Sequence, residues 1–177
     1  MVFLEYVNLA LKTESKFRPL SLDVVDLGLT DRIAHAFIGL AGELDEYNLA
    51  MEKYDRINGL EELGDMLWFL AVLKDEVDFP LDRIDTRGLR LSLDGLDMIK
   101  KTMFYGKVLN IGDVKTEANK VYNLVLAAIE KNNGSAEQVM VTNINKLKAR
   151  FGDKFTSDGA LNRDLDKERE TLEEGLK

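Results

Sequence analysis

The stretch that decides the fold runs from Gly39 to Leu73, GLAGELDEYNLAMEKYDRINGLEELGDMLWFLAVL. Within it, Glu43 and Glu46 are three residues apart, and so are Glu62 and Asp65. Three-residue spacing puts both members of a pair on one side of an α-helix, with Cβ atoms roughly 5–6 Å apart. A turn between the pairs predicts an antiparallel helical hairpin in which the two acidic pairs face each other.

The rest of the 177 residues continues the helical pattern, because apolar side chains recur at helical spacing and strand alternation is not evident. We therefore predict an all-α bundle forming a single domain over residues 1–177, with a charged, solvated helical tail at about 160–177. A capping box, Ser135-Ala-Glu-Gln138, marks the start of one helix, and residues 81–91 are expected to be a connection. The predicted helices are 2–16, 30–58, 60–79, 93–109, 113–133 and 136–150.

The surroundings of the acids distinguish them from an ordinary solvated helix face, which is the usual meaning of an isolated ExxE or ExxD pattern. Glu43 and Glu46 share a side with the small residues Ala36, Gly39 and Ala50, which are expected to leave space beside the carboxylates. The helix with Glu62 and Asp65 is apolar on both sides, which is typical of a buried helix. We therefore expect these two acids to point inward.

Inward-facing carboxylates repel one another, and desolvation raises their pKa values, unless a hard cation binds them. Mg²⁺ prefers oxygen ligands and is commonly shared between carboxylates and substrate phosphates. The chain has no Cys and one His, which excludes a thiolate site, a disulfide scaffold and a Cys nucleophile and argues against zinc. The sequence thus favours Mg²⁺, with Mn²⁺ as a substitute, bound by Glu43, Glu46, Glu62 and Asp65.

Charge and hydropathy restrict the partners. A net charge of -8 argues against nucleic-acid binding, and it means that a phosphorylated substrate needs a cation as intermediary. The first eleven residues include Glu5 and lack the basic region of a secretory signal. The longest apolar stretch, Met66 to Leu73, is too short to cross a bilayer. We expect a cytoplasmic protein without membrane contact.

Three residues near the C-terminus are candidates for substrate binding. Lys146 and Arg150 are four residues apart, so they share a helix face and are able to grip a triphosphate. Asn143 precedes them by one turn and is a candidate for a ribose or phosphate contact. Their spacing is explained equally well if Lys146 and Arg150 are ordinary exposed residues near a helix C-terminus, where the helix dipole favours positive charge. Trp68 and Phe69 are expected in the core, with stacking on a nucleobase as the alternative for them and for Tyr47, and His35 is expected to be structural.

The sequence resembles the MazG-like, all-α nucleoside triphosphate pyrophosphohydrolases, whose signature is ExxE followed by ExxD on adjacent helices of a four-helix bundle. The matching segments are GLAGELDE, LEELGDMLWFLA and Asn143 to Phe151, and NRDLDKE at 162–168 looks like the tails of phage-type and bacterial members. The resemblance covers roughly residues 30–79 and 135–170. It implies that Lys146 and Arg150 serve the phosphates.

The resemblance further implies hydrolysis of a ribo- or deoxyribonucleoside triphosphate between the α and β phosphates by a Mg²⁺-activated water, giving monophosphate and pyrophosphate. One of the acids, with Glu46 as a candidate, is then the base that orients the water. A homodimer or homotetramer is implied, because family members generally complete their bundle through a partner subunit. The alternatives are a phosphoribosyl-ATP pyrophosphohydrolase-like activity, or a nucleotide-binding or protein-interaction module without catalysis.

One departure concerns the basic residue that family members often have before ExxD. Here the sequence is Ile57-Asn58-Gly59-Leu60. A replacement phosphate contact is sought at Lys100, Lys101 and Lys107.

Overall fold

The computed structural model describes residues 1–14, 28–152, 154–156, 161–162 and 164–176, and within these ranges the chain is helical without any strand. Seven α-helices have their bounds there, and a 3₁₀ turn at Leu11–Thr13 follows the first. The all-α prediction is confirmed. The helices are α1 (Phe3–Ala10), α2 (Asp31–Glu52), α3 (Arg56–Val77), α4 (Gly95–Tyr105), α5 (Ile111–Lys131), α6 (Ala136–Phe151) and α7 (Leu165–Leu176).

The hairpin of α2 and α3 turns earlier than the sequence indicated. Tyr54 adopts a left-handed conformation with φ of 58°, and the Asp55 side chain caps α3 by accepting a hydrogen bond from the Asn58 amide at 3.1 Å. The predicted break at Asn58–Gly59 is therefore wrong. Gly59 lies inside α3, where a Cβ would be 2.2 Å from Cε of Met51, so this glycine permits close helix packing.

Helix α3 is the centre of the bundle and contacts α1, α2, α5, α6 and α7. Side chains on its opposite sides are buried, with Leu63, Leu67 and Leu70 on one side and Val72 on the other. Burial of each such side chain stabilises the fold by about 1.5–3 kcal/mol. The prediction that the helix carrying Glu62 and Asp65 is buried is confirmed, and the antiparallel contact with α2 brings the two acidic pairs together.

The remaining helix ends differ from the predicted ones in identifiable ways. Helix α1 ends at Ala10 and passes into the 3₁₀ turn, while residues 15 and 16 of the predicted first helix lie outside the described residues. Helix α4 ends at Tyr105, four residues before the predicted end at Leu109. Gly106 follows it in a left-handed conformation, with φ of 67°. Residues 81–91 form no helix, as expected. Helix α6 begins after Ser135, but the Ser135 side chain makes no capping hydrogen bond.

Helix α7 is packed, so the expectation of a solvated tail is wrong for it. Leu172 and Leu176 are buried against the bundle, and α7 contacts α6 and α3. At Gly175 a Cβ would be 2.2 Å from Oγ1 of Thr142, so the missing side chain lets α7 approach α6 closely. Arg56 donates to the backbone carbonyls of Asn132, Asn133 and Leu176, which joins the ends of α5 and α7. None of the described helices meets the length and hydropathy needed to span a membrane.

Candidate functional site

Three carboxylates converge where α2 faces the first turns of α3. Glu43, Glu62 and Asp65 each offer an oxygen, and these oxygens all lie within 4.8 Å of one another. The Glu62 residue is only 5% exposed, while Glu43 and Asp65 are half-buried. Glu46 is exposed and lines the same cleft beside this acidic triad. The sequence thus predicted four facing acids, and the structure brings three of them into one group.

The surroundings of the acidic triad raise the pKa values of its two glutamates. Burial, followed by the nearby charge of Asp65, raises the pKa of Glu62 to about 9. The same two causes, with Glu46 adding to them, raise the pKa of Glu43 to about 7, although a hydrogen bond with Glu62 and the charge of Lys146 act in the opposite direction. At neutral pH the group therefore retains protons that isolated glutamates would have lost.

Asp65 is held by two side chains of α6. The Lys146 amine lies 2.5 Å from Oδ2 of Asp65 and 3.2 Å from a carboxylate oxygen of Glu61. The Asn143 amide nitrogen donates to Oδ1 of Asp65 at 2.6 Å. Lys146 is 1% exposed and Asn143 is also buried. Two of the three predicted substrate-binding residues, Lys146 and Asn143, therefore lie behind Asp65, in contact with the acid and away from the open cleft.

Arg150, one turn after Lys146, lies at the open side of the site. Its Nε and Nη2 donate to the two carboxylate oxygens of Glu168 on α7, at 2.8 and 2.5 Å. This two-point geometry fixes the plane of the guanidinium group. Arg150 lines both of the clefts that open beside the acidic triad, so it is the predicted phosphate-binding residue that lies within reach of a ligand.

The first cleft, which we call the polar cleft, has a volume of about 360 Å³. Among the described residues, six carboxylates line it, together with Asn58, Arg150 and Arg169. Arg169 bonds Glu173 on its own helix at 2.9 Å and approaches Asp55 at 3.7 Å. The lining acids are Glu43, Glu46, Glu61, Glu62, Asp65 and Glu168. This excess of negative charge makes the polar cleft a place where cations concentrate.

The second cleft, the aromatic cleft, has a volume of about 200 Å³ and shares Glu43, Asp65 and Arg150 with the polar cleft. Trp68 and Phe69 meet edge to face in its wall, with ring centroids 5.0 Å apart. The Trp68 indole nitrogen donates to the Ala10 carbonyl and to the Thr13 hydroxyl, each at 3.0 Å. The rings in the lining belong to His35, Trp68, Phe69, Phe151 and Phe155. Flat, partly apolar walls of this kind suit a planar ring.

The space that the sequence predicted beside Gly39 is filled. A Cβ at Gly39 would lie 2.1 Å from the Phe69 ring, so this glycine admits the ring against α2. The small residue therefore shapes the aromatic cleft, and the expectation that it leaves room at the carboxylates is wrong.

The lysines considered as replacement phosphate contacts lie elsewhere. Lys100 and Lys101 form ion pairs with Asp97 on α4. Lys101 and Lys107 line a separate cavity of about 70 Å³ beside α4. The basic residue nearest before Glu62 is Arg56, whose guanidinium group is bonded to backbone carbonyls.

Sequence reasoning missed Glu168 and Arg169 on α7 and Phe155 after α6. The signal for α7 was present, because Leu165, Leu172 and Leu176 recur at helical spacing and indicate a face that packs. That face brings Glu168 to Arg150. Phe155 lies in an irregular segment, where spacing gives no information about which cleft a side chain enters.

Comparisons of the chain with protein-family models, with curated proteins and with solved structures find no match. The resemblance to MazG-like proteins therefore remains an expectation from the sequence motifs alone.

Proposed function

We propose that this protein is a MazG-like hydrolase that uses Mg²⁺ to split a nucleoside triphosphate into a monophosphate and pyrophosphate. The observation that carries the proposal is the position of the acidic triad, between a polar cleft and an aromatic cleft that share Glu43, Asp65 and Arg150. A nucleoside triphosphate likewise combines a charged phosphate chain with a flat base. The polar cleft would take the triphosphate, and the aromatic cleft would take the base.

The donor set fits Mg²⁺. All the candidate ligand atoms are carboxylate oxygens. The pKa values of Glu43 and Glu62 are raised by burial first and by the neighbouring acids second, and a divalent cation relieves the second of these. When bound by Glu43, Glu62 and Asp65, such a cation neutralises phosphate charge and polarises the phosphoryl oxygens. Without it, the six acids of the polar cleft would repel a triphosphate.

The protein's own side chains then divide the remaining tasks. Arg150, with its plane fixed by Glu168, contacts the phosphates. Glu46, exposed at the rim of the polar cleft, orients a water molecule and takes its proton as the water oxygen bonds to phosphorus and the α–β bridging bond breaks. Pyrophosphate leaves with the electron pair of that bond. Lys146 and Asn143 act on Asp65, and in this proposal they have no contact with the substrate.

We further propose that a second copy of the chain completes the bundle, giving a homodimer or homotetramer. The supporting feature is the outer face of α2, where the apolar Ile38 and Leu49 are exposed on either side of Gly42. A Cβ at Gly42 would meet nothing within 4 Å, so another helix has room to approach there. Light scattering on the native chain and on Ile38→Glu gives the test. We expect the mass of a dimer or tetramer for the native chain and a smaller mass for Ile38→Glu.

The test of activity is a panel of ribo- and deoxyribonucleoside triphosphates incubated with Mg²⁺ or with EDTA, with separation of the products. We expect monophosphate and pyrophosphate to form with Mg²⁺ and not with EDTA, and we expect Asp65→Asn to form neither product. The matched control is Asp82→Asn, which alters an exposed acid away from both clefts and from the outer face of α2. Release of diphosphate and phosphate would contradict the proposed bond. Nucleotide binding without any product would favour a binding module.

A further inference from the structure

A hydrogen-bonded chain runs from α1 to the acidic triad. The Tyr6 side chain is fully buried, and its hydroxyl lies 2.7 Å from Oδ1 of Asn143 and 3.1 Å from the Gly64 carbonyl oxygen. Asn143 in turn donates from Nδ2 to Asp65 at 2.6 Å. The chain therefore connects a residue of α1 with a carboxylate of α3 through a side chain of α6.

The direction of each bond follows from the chemistry of its ends. An amide side chain has one donating and one accepting end, and a carboxylate accepts only. Asn143 must therefore turn its nitrogen to Asp65, which leaves its oxygen facing Tyr6. Burial, followed by the charge of Asp65, raises the pKa of Tyr6 well above its ordinary value, so the phenol keeps its proton and donates it. The nearer of its two acceptors is the Asn143 oxygen.

We propose that Tyr6 is a positioning residue of the metal site, which fixes the amide of Asn143 and thereby aims Asp65 at the cation. This inference rests on the proposed function, in which Asp65 holds that cation. Without the Tyr6 hydroxyl, the Asn143 oxygen loses its donor at a buried position, and the hydrogen bond to Asp65 is left to hold the amide. The side chain would then shift towards another donor, and the Asp65 carboxylate that accepts from its nitrogen would shift with it.

The Tyr6→Phe substitution isolates the hydroxyl. The ring stacks with Phe3 at a centroid distance of 6.0 Å, and phenylalanine keeps that packing. The matched control is Tyr122→Phe, a half-buried tyrosine of α5 whose ring packs on Phe3 and Phe79. Asn143→Ala removes the intermediate member of the chain and serves as the second variant.

The experiment measures Mn²⁺ binding to the full chain by electron paramagnetic resonance, without nucleotide. Partners that orient metal ligands typically change metal affinity about 10–100-fold when they are removed. We expect Tyr6→Phe to weaken Mn²⁺ binding about 10-fold, the low end of that range, because Lys146 still holds the other Asp65 oxygen. Tyr122→Phe should bind Mn²⁺ as the native chain does.

The double variant separates positioning from a general structural effect. If Tyr6 acts through Asn143, Tyr6→Phe should leave the Mn²⁺ affinity of Asn143→Ala unchanged, whereas a general loosening of the fold would weaken it again. Urea unfolding in EDTA follows the stability of every variant separately. The positioning role of Tyr6 would be overturned, with the metal site intact, by either of two results. One is native-like Mn²⁺ affinity in Tyr6→Phe, and the other is an equal loss of Mn²⁺ affinity when Tyr6→Phe is introduced into the native chain and into Asn143→Ala. A native chain that binds no Mn²⁺ would overturn the metal site together with the inference.

Discussion

The sharpest consequence of the acidic triad concerns Glu62→Gln, which should stabilise the metal-free protein while it removes activity. In the folded chain the pKa of Glu62 is raised to about 9, against an ordinary value of 4.5. Below the ordinary value, Glu62 is protonated in both the folded and unfolded states and costs nothing. As the pH rises, the unfolded chain loses the proton and the folded chain keeps it, so the free energy of unfolding falls.

The magnitude follows from that difference. Each pH unit between the two pKa values costs about 1.36 kcal/mol, so about 3 kcal/mol has been lost by neutral pH. Solvent that enters the open polar cleft screens the charges, which reduces the expected gain of Glu62→Gln to about 1–3 kcal/mol. The amide is neutral at every pH and has nearly the same shape as the protonated acid, so it removes the cost and retains the packing.

The assay is urea unfolding of the native chain, Glu62→Gln and the control Asp82→Asn, in EDTA and in excess Mg²⁺. In EDTA the stability of the native chain should fall between about pH 5 and about pH 9, and that of Glu62→Gln should fall less steeply. Excess Mg²⁺ should stabilise the native chain, by about 2.7 kcal/mol at a hundredfold excess over the dissociation constant, and the variant less. A variant that is less stable than the native chain in EDTA at neutral pH would refute the reasoning, because the inward acids would then be stabilising.

Three further predictions concern the surroundings of the acidic triad. Arg150→Lys should lower kcat/KM about 10–100-fold, since an amine cannot reproduce the paired geometry with Glu168; unchanged kcat/KM would remove Arg150 from phosphate binding. Phe155→Ala should raise KM about 10-fold with little change in kcat, because base stacking on an aromatic ring contributes about 1–3 kcal/mol. Steady-state kinetics with the preferred nucleotide measure both constants. A fall in kcat alone would contradict the assignment of the aromatic cleft to the base. Arg56→Met should lower the free energy of unfolding by about 2–4 kcal/mol, because bonds from a charged group to three carbonyls are lost; urea unfolding measures the loss, and limited proteolysis should then cut α7 before the other helices.

The fold class and the acidic hairpin follow from local patterns in the sequence. Helical spacing identifies α2 and α3, and apolar residues on both sides of α3 require its burial. The ends of the hairpin were less predictable, because glycine both breaks helices and permits close packing. At Gly59 the packing against Met51 decides, and a single sequence does not contain that contact.

The roles of the basic residues depended on geometry that spacing does not fix. Lys146 and Arg150 share a face of α6, yet Lys146 is buried against Asp65 while Arg150 opens onto both clefts. The difference arises from how α6 lies across α3 and from where α7 covers it, both of which are tertiary contacts. The same contacts place Glu168 beside Arg150, so α7 became part of the site although its composition indicated a solvated helix.

The buried lysine also explains why a cation would still be needed at a site that already contains a positive charge. Lys146 bonds Asp65 and Glu61, on the side of the acidic triad that faces α6. Its ion pairs are with those two acids, while the pKa values of Glu43 and Glu62 remain raised, by burial first and by the neighbouring acids second. A lysine placed between Glu43 and Glu62 would neutralise the triad and leave no attraction for a metal. In the proposed function, Lys146 holds Asp65 in place, and the cation would displace the protons that Glu43 and Glu62 retain at neutral pH.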